Sequence, residues 1–226
     1  MSNTSPLGDP VDPAPAVAPA ANPMLGTLVS LVPVDPAGHA SDLFAASHGS
    51  PERDGVWTYM AYGPFPDEAA MATWLTDCVA SNDPRFFTVL DRRSGIPVGV
   101  VSYLNADTAM CHVELGHIWY GPSAQRTRVN TETIHLLLAR AFDELGNRRV
   151  EWKCDALNER SRVAALRLGF SFEGVFRQHM IVKGRNRDTA WFSMLDREWP
   201  VRKANLERWL EAEPGSVSLR ELNAGP

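Results

Sequence analysis

The spacing of hydrophobic and polar residues changes several times along the chain, and each change predicts a structural element. Thr27 to Val32 is rich in β-branched and aliphatic residues, which predicts a first strand. Pro36 to Ser47 and about Glu68 to Ala80 then space their apolar residues at a helical period, which predicts two helices. Asp67 stands where the second of these helices needs an N-terminal cap.

The middle of the chain predicts three strands followed by a helix. Arg85 to Leu90 and Ile96 to Leu104 form a predicted hairpin, and Met110 to Trp119 is a third strand. Thr131 to Leu145 carries an apolar stripe typical of a helix packed on a core, and Gly146 is a suitable residue to end it.

The last third of the chain predicts three more strands and two helices. The ranges are a strand at Arg149–Cys154, a helix from the Asn158 cap to Leu168, strands at Phe172–Val182 and Thr189–Leu195 joined by a turn at Lys183–Asp188, and a helix at Val201–Glu211. The element order is therefore β-α-α-β-β-β-α-β-α-β-β. It predicts an α/β (α+β) fold with a mixed, mostly antiparallel sheet of about seven strands and helices on both faces.

Composition narrows the function classes. The 226 residues carry a net charge of −5, which gives no general attraction to nucleic acid or to anionic membranes. No apolar run reaches the roughly 18 residues that span a bilayer, and the start lacks a secretory pattern. Three widely spaced cysteines fit neither a disulfide framework nor a zinc site, so we expect a reducing, cytoplasmic location and no metal.

The same composition predicts how the chain is divided. Residues 1–25 are rich in Pro and Ala and are expected to form a flexible tail, with packed structure beginning near Gly26. Residues 26–200 are expected to form one domain. Residues 201–226 would add a helix and a tail whose final dozen residues are loosely held.

Several short motifs together resemble one known family. They are Glu114-Leu-Gly116, the loop Gln125 to Asn130, Thr131-Glu132, Asn158-Glu-Arg-Ser161 and Leu168-Gly-Phe170. With the element order, they make the segment from about Gly26 to Pro200 similar to the GCN5-related N-acetyltransferases (GNAT), in the branch of the ribosomal-protein N-terminal acetylases. The resemblance implies acetyl-coenzyme A as co-substrate, a primary amine as acceptor, direct attack without an acyl-enzyme, and an open question of homodimer formation.

The resemblance also places the coenzyme A site in the loop before the long helix. The family reads Gln/Arg-x-x-Gly-x-Gly/Ala there, whereas this chain has Arg128 and Asn130 at the two small positions. Either the backbone at Arg128 keeps a negative φ or the loop is reshaped, and Arg126 and Arg128 are either phosphate ligands or solvated charges. Glu132 would repel a phosphate, so it is expected to point aside in a structural role. The expected cofactor contacts are Ile118, Trp119, Tyr120, Gln125, Arg126, Thr127, Arg128, Val129, Asn130, Thr131, Asn158 and Ser161.

A general base is expected on the strand before this loop. Glu114 matches a carboxylate position that related enzymes use, and His117 is the rival. Strand alternation would put Glu114, Gly116 and Ile118 on one face of this strand, and Leu115, His117 and Trp119 on the other. An N–H between Ile118 and Tyr120 is expected to stabilise the oxyanion.

The general acid is harder to assign. Many members of the family have a Tyr where this chain has Ala165, so Ser161, directly or through water, is the expected substitute, with Tyr59 and Tyr62 as further candidates. Trp57, Tyr59 and Tyr62 are expected to border the acceptor pocket, unless these aromatic residues only cover the core edge.

Two other functions stay open at this point. The altered loop and the missing Tyr are compatible with a non-catalytic acyl-coenzyme A-binding module. A weaker alternative is RNA or ribosome binding through Arg185-Asn-Arg187, against which the acidic net charge argues.

Overall fold

The computed structural model describes residues 7–11 and 14–224, which build one eight-stranded sheet with helices on both faces. The strands are β1 (Met24–Leu25), β2 (Val29–Pro33), β3 (Arg85–Asp91), β4 (Pro97–Asp107), β5 (His112–Tyr120), β6 (Arg149–Asp155), β7 (Ser171–Val182) and β8 (Arg185–Leu195). The α-helices are α1 (Pro36–Ser47), α2 (Pro51–Asp54), α3 (Glu68–Ala80), α4 (Val129–Ala139), α5 (Glu159–Arg167), α6 (Trp199–Glu211) and α7 (Leu219–Asn223). A turn of π-helix, Arg140–Glu144, extends α4.

The strands are ordered β1-β2-β3-β4-β5-β6-β8-β7, and β5 with β6 is the single parallel pair among the described residues. One face packs on α4 and α6 through a core that includes Val113, Val150 and Leu206. The other face packs on α1 and α3 through a second core that includes Val100 and Leu75. The predicted fold class is confirmed, with eight strands instead of about seven because the two-residue β1 gave no sequence signal.

Packed structure begins earlier and ends later than the sequence predicts. The N–H of Ala16 donates to Thr108 O at 2.9 Å and that of Val17 to Leu145 O at 2.8 Å, so the expectation of packing only from Gly26 onward is wrong. Near the other end, Leu219 is 2% exposed and Asn223 Nδ2 donates to Arg167 O at 2.9 Å, so this segment is held and not loose.

The β7–β8 hairpin is longer than the sequence predicts. Its turn is Lys183-Gly184 alone, with φ of 48° and 72°. Positive φ at both central residues is the geometry of a type I′ turn, which matches the twist of a two-residue hairpin. Residues 185–188, expected in the turn, are therefore the start of β8.

Glu132 ties the first turn of α4 to the start of the sheet. Its carboxylate accepts the N–H groups of Thr27 at 2.9 Å, and of Leu28 and Val29 at 2.7 Å each. A Cβ at Gly26 would lie 2.5 Å from Glu132 Oε2, so only glycine leaves room for this contact. The predicted structural role of Glu132 is confirmed.

A β-bulge in β5 changes which side chains share a face. Ser102 pairs with Gly116 but Val100 pairs with Trp119, so β5 has one extra residue, and His117 adopts a φ of 51°. Leu115 consequently lies in the α4-side core while Trp119 lies in the α1-side core. The predicted alternation, which put these two residues on one face, is wrong beyond Gly116 because a bulge reverses the alternation.

Candidate active site

The parallel strands β5 and β6 separate part of the way along the sheet. Their pairing stops at Leu115 with Trp152, although β5 continues to Tyr120 and β6 to Asp155. Within the part of the chain that the structure describes, the peptide groups of β5 after Leu115 therefore have no strand partner on the β6 side. The result is a split that opens both faces of the sheet to each other.

The start of α4 offers backbone donors on one side of this split. Within the described residues, no hydrogen bond uses the N–H groups of Arg126, Arg128, Asn130 or Thr131. A helix N-terminus with unpaired N–H groups attracts anions, so this loop fits a pyrophosphate. Arg126 has a φ of 59° and is exposed, whereas Arg128 has a φ of −72°, which explains how an arginine stands at a position that is glycine in the family.

The side chain of Arg128 contacts α6. Nη1 donates to Leu210 O at 2.9 Å, Nη2 donates to Ala212 O, and the guanidinium lies 5.2 Å from the Trp209 ring centroid. Arg167 lies against the same ring at 5.4 Å and donates to Thr131 Oγ1 at 2.8 Å. The predicted phosphate contact of the Arg128 guanidinium is therefore corrected: this group caps the last carbonyls of α6.

The other side chains of the loop stabilise its shape. Gln125 Nε2 donates to Tyr120 O at 2.8 Å, and Thr127 Oγ1 donates to Ala124 O at 2.7 Å and accepts the N–H of Val129 at 3.2 Å. Val129 itself is buried. The two cores also contain the side chains of Ile118, Trp119 and Tyr120. The peptide groups of these three residues therefore border the split.

Asn158 and Ser161 lie together at the start of α5, beside the split. Asn158 Oδ1 accepts the N–H of Ser161 at 3.2 Å, which is the predicted helix cap. Ser161 Oγ accepts Nε1–H of Trp152 at 3.0 Å, and Trp152 is the last residue of β6 that pairs with β5. Ser161 retains its own hydroxyl proton as a donor.

Glu114 lies on the opposite face of the sheet with a cation and an amide. Its Oε2 accepts Lys153 Nζ and Asn105 Nδ2, each at 2.8 Å, while the structure shows no partner for Oε1 among the described residues. A methyl group at Gly116 would lie 3.5 Å from Oε1. Burial raises the pKa of the Glu114 carboxyl, and the contacts with Lys153 and Asn105 oppose that rise. Glu114 therefore has one carboxylate oxygen, Oε2, that accepts hydrogen bonds, and a second oxygen, Oε1, without a hydrogen-bond partner among the described residues.

His117 is partly buried, and its imidazole is neutral at neutral pH. Burial lowers the pKa of its imidazole to about 4, with a smaller contribution from Lys153. Nδ1 lies 3.2 Å from Tyr62 Oη, and the ring stacks on Tyr62 at 5.5 Å between centroids. A base with this pKa is weaker at neutral pH than Glu114, so the structure favours Glu114 over its rival.

The aromatic residues predicted to border the acceptor pocket separate into two groups. Trp57 is 1% exposed and donates Nε1–H to Ser47 O at 3.0 Å, so its prediction as a substrate contact is corrected to a core residue. Tyr62 is partly buried in the same aromatic cluster, and burial raises its pKa well above the usual value. Tyr59 is partly exposed, and its hydroxyl donates to Leu157 O at 3.1 Å next to α5.

Lys153 and Asn105 are site residues that the sequence analysis missed. Lys153 lies on β6, and the register of β5 with β6 was needed to place it against Glu114. Among the described residues, no group of three or more His, Cys, Asp or Glu side chains is arranged to bind a metal, and no helix has the length and hydrophobicity to cross a membrane.

The comparisons with known proteins agree with this architecture. The family described as "Acetyltransferase (GNAT) domain" matches residues 29–171. A GCN5-related N-acetyltransferase from Brucella melitensis has a TM-score of 0.89 and 39% identity, covering 94% of this chain and 98% of that one. An acetyltransferase of the same family from Chromobacterium violaceum has a TM-score of 0.77 and 41% identity, covering 88% and 98%.

A relative in Bacillus subtilis (strain 168) is YdaF, which is provisionally assigned as a ribosomal N-acetyltransferase. It is 28% identical over 67% of this chain and 83% of its own length. The chain belongs to the GNAT acetyltransferase family. Membership of this family makes it an acetyl-coenzyme A-dependent acyltransferase.

Proposed function

We propose that the protein transfers the acetyl group of acetyl-coenzyme A to a primary amine, on a peptide N-terminus or a small molecule, by direct attack. The observation that supports this most is the split between β5 and β6. It has unpaired backbone donors at the start of α4 on one side and the Glu114 carboxylate on the other. Such an arrangement lets donor and acceptor approach each other from opposite faces.

In this proposal the chain binds the co-substrate mainly with its backbone. The N–H groups of Arg126, Arg128, Asn130 and Thr131 hold the pyrophosphate, assisted by the exposed Arg126 side chain. Asn158 lies beside the pantetheine arm, and a peptide N–H between Ile118 and Tyr120 donates to the carbonyl oxygen as negative charge develops on it. Preorganised donors of this kind commonly account for about 10²–10³ in kcat.

Glu114 is the general base in this proposal. Oε1 receives a proton from the acceptor ammonium, through a water because the carboxylate is only 2% exposed. The amine nitrogen then bonds to the acetyl carbon, the carbon–sulfur bond breaks, and the sulfur leaves with the electron pair. The nitrogen releases its second proton, which passes through water to Ser161 as the Ser161 hydroxyl protonates the sulfur. Ser161 is the proposed donor to that sulfur, directly or through water, because Ala165 is buried in the core and supplies no acid. Tyr59 stays a second candidate, since its hydroxyl lies beside the start of α5.

The test combines calorimetry with turnover. Acetyl-coenzyme A is titrated into the full-length protein, and thiol release is then followed with a panel of peptide and small-molecule amines. Binding together with amine-dependent thiol release is expected. Binding with no release above background hydrolysis would instead support a non-catalytic acyl-coenzyme A-binding module. No binding at millimolar concentration would contradict both.

Two further proposals concern assembly and location. A homodimer is supported by the edge strand β7, which exposes Phe172, Val175, Phe176 and Ile181. Light scattering on the purified protein measures its mass in solution, and a monomeric mass contradicts the homodimer. A reducing, cytoplasmic location is supported by the three free cysteines, which are all buried and unpaired.

A further inference from the structure

A second bulge interrupts the sheet beside Glu114, in the neighbouring strand β4. Leu104 pairs with Glu114 across the two strands. The next pair is Asp107 with His112, so β4 has two residues where β5 has one. Asn105, the first of the two, has a φ of 50°. Asn tolerates this left-handed conformation better than most residues, but it keeps the conformation only where its surroundings hold it.

The bulge turns the Asn105 side chain toward Glu114. Leu104 shares a face with its partner Glu114, so regular alternation would put Asn105 on the opposite face, which packs on α4. Tyr103 and Ala106 both lie in that α4-side core, which identifies Asn105 as the extra residue. Its Nδ2 instead donates to Glu114 Oε2 at 2.8 Å. Bulges that re-aim one side chain in this way are common next to active sites.

Asp83 holds this bulge from outside the strand. It lies in the loop between α3 and β3, and its Oδ1 accepts the N–H of Asn105 at 2.9 Å. The extra residue of a bulge is left out of the ladder of strand hydrogen bonds, so this carboxylate supplies the acceptor that the partner strand does not. The contact fixes the backbone of Asn105 and therefore the direction of its amide.

Two donors from different strands then fix the Glu114 carboxylate. Asn105 of β4 and Lys153 of β6 donate to the same oxygen, Oε2. An ammonium on a flexible stem supplies charge with little directional control, whereas a planar amide on a held backbone supplies direction. Oε1 is left beside Gly116, where an added Cβ would lie 3.5 Å away. Gly116 is the first residue of β5 after its pairing with β6 ends, so Oε1 lies at the edge of the split.

The groups around Glu114 make this contact measurable. Burial raises the pKa of the carboxyl, Lys153 and Asn105 lower it, and the Glu151 carboxylate on β6 raises it. His117, on the same strand as Glu114, is neutral at neutral pH and adds no charge there. Because an amide carries no net charge, Asn105 acts on the pKa of Glu114 through its hydrogen bond alone.

We propose that Asn105 is a positioning residue for acetyl transfer: it aims Oε1 of Glu114 at the acceptor ammonium, and Asp83 keeps it in place. The proposal rests on the proposed amine acetylation with Glu114 as general base. A base must lie within hydrogen-bond reach of the proton that it removes, directly or through one water, so the orientation of Oε1 governs that step. A displacement of about 1 Å in such a site costs up to about 10²-fold in rate.

The first variant removes the amide and keeps the backbone conformation. Asn105→Gly retains access to a positive φ, and Asn105 is exposed, so its substitution does not endanger folding. With the best amine of the panel, kcat should fall about tenfold while the KM for acetyl-coenzyme A changes less than about twofold. The acidic limb of the kcat/KM profile should move to higher pH, because the base loses a donor that stabilises its ionised form. Asn82→Gly makes the same change at an exposed asparagine of the α3–β3 loop and should leave rate and limb unchanged.

Substitutions of Asp83 test the support of the bulge. Asp83→Ala removes the acceptor of the Asn105 N–H and should also lower kcat, whereas Asp83→Asn keeps Oδ1 and should restore most of the rate. Thermal unfolding of each variant is measured alongside, since a merely structural role would lower Tm without moving the acidic limb.

A titration that does not depend on turnover completes the test. In protein labelled with carbon-13, the carboxyl signal of Glu114 is assigned by its loss in Glu114→Gln, and its pKa should be higher in Asn105→Gly than in the unsubstituted protein. An unchanged kcat or an unchanged Glu114 pKa in Asn105→Gly overturns the proposal. A raised pKa in a protein that acetylates no amine would uphold the contact between Asn105 and Glu114 and contradict the proposed amine acetylation.

Discussion

Replacing Arg128 by alanine separates a structural role of this side chain from a phosphate-binding role. The guanidinium donates to two carbonyl oxygens at the end of α6, Leu210 O and Ala212 O, and lies over Trp209. The last carbonyls of a helix have no partners inside the helix and carry partial negative charge. Arg128 supplies both the hydrogen bonds and the compensating charge.

The expected loss follows from these contacts. Each hydrogen bond contributes about 0.5–1.5 kcal/mol net, and a partly exposed cation–π contact about 0.5–1 kcal/mol. Arg128→Ala should therefore lower the free energy of unfolding by about 2–3 kcal/mol. For a chain of this size that corresponds to a decrease in Tm of about 5–10 °C.

Urea unfolding followed by circular dichroism measures this loss, with Arg208→Ala as the matched control. Arg208 is exposed on the same helix, so its removal should cost less than about 0.5 kcal/mol. Arg128→Lys should recover only part of the stability because an ammonium lacks the planar fork that reaches two carbonyls.

Calorimetry with coenzyme A gives the second readout. Because the cradle relies on backbone N–H groups, Arg128→Ala should weaken coenzyme A binding by less than about tenfold. The reasoning is refuted by an alanine variant of unchanged stability, or by one that keeps its stability and loses coenzyme A binding almost completely. The latter outcome would show that the guanidinium leaves α6 and binds phosphate.

Three other predictions follow from buried charges. Burial raises the pKa of Glu114 and the Lys153 cation opposes that rise, so in Lys153→Met the acidic limb of the kcat/KM profile should move to higher pH. In Lys153→Arg the limb should stay near its original position. An unmoved limb in the methionine variant would exclude Glu114 as the titrating base. Glu132→Ala leaves three backbone N–H groups without an acceptor, so chemical unfolding should show the free energy of unfolding lowered by about 3–5 kcal/mol. A decrease below about 1 kcal/mol would contradict the stabilising role of these three hydrogen bonds. The folded-state pKa of His117, about 4, lies below its ordinary 6.5, so between these values the unfolded chain binds more protons and the free energy of unfolding should fall as pH decreases. His117→Phe should remove that part of the pH dependence of stability. An unchanged slope of stability against pH would mean that another group titrates there.

The order of elements was predictable because it depends on local patterns. Periodicity located the helices and strands, and Asp67 and Asn158 were correctly expected to cap α3 and α5. Motif spacing was enough to identify the family, even though the phosphate loop departs from the usual residues. The negative φ at Arg128 explains why that departure leaves the loop intact.

What the sequence left unresolved depends on register and long-range contacts. One extra residue at the His117 bulge reverses the side-chain alternation of β5, and an alternation pattern gives no sign of it. Lys153 reaches Glu114 only because β5 and β6 are parallel neighbours, and Arg128 meets α6 across 82 residues of sequence. Composition alone also underestimated how far the N-terminal segment packs on the domain, because this segment is held by backbone hydrogen bonds as well as by apolar burial.

The split between β5 and β6 has a consequence for the order of events in turnover. The backbone donors and the Glu114 carboxylate are on opposite faces of one sheet, so neither substrate has to pass the other to reach its place. Donor and acceptor should therefore bind in either order and react while both are bound. Initial-rate plots at several fixed donor concentrations should intersect, each product should inhibit competitively against its own parent substrate, and no acetylated protein should accumulate when the amine is withheld.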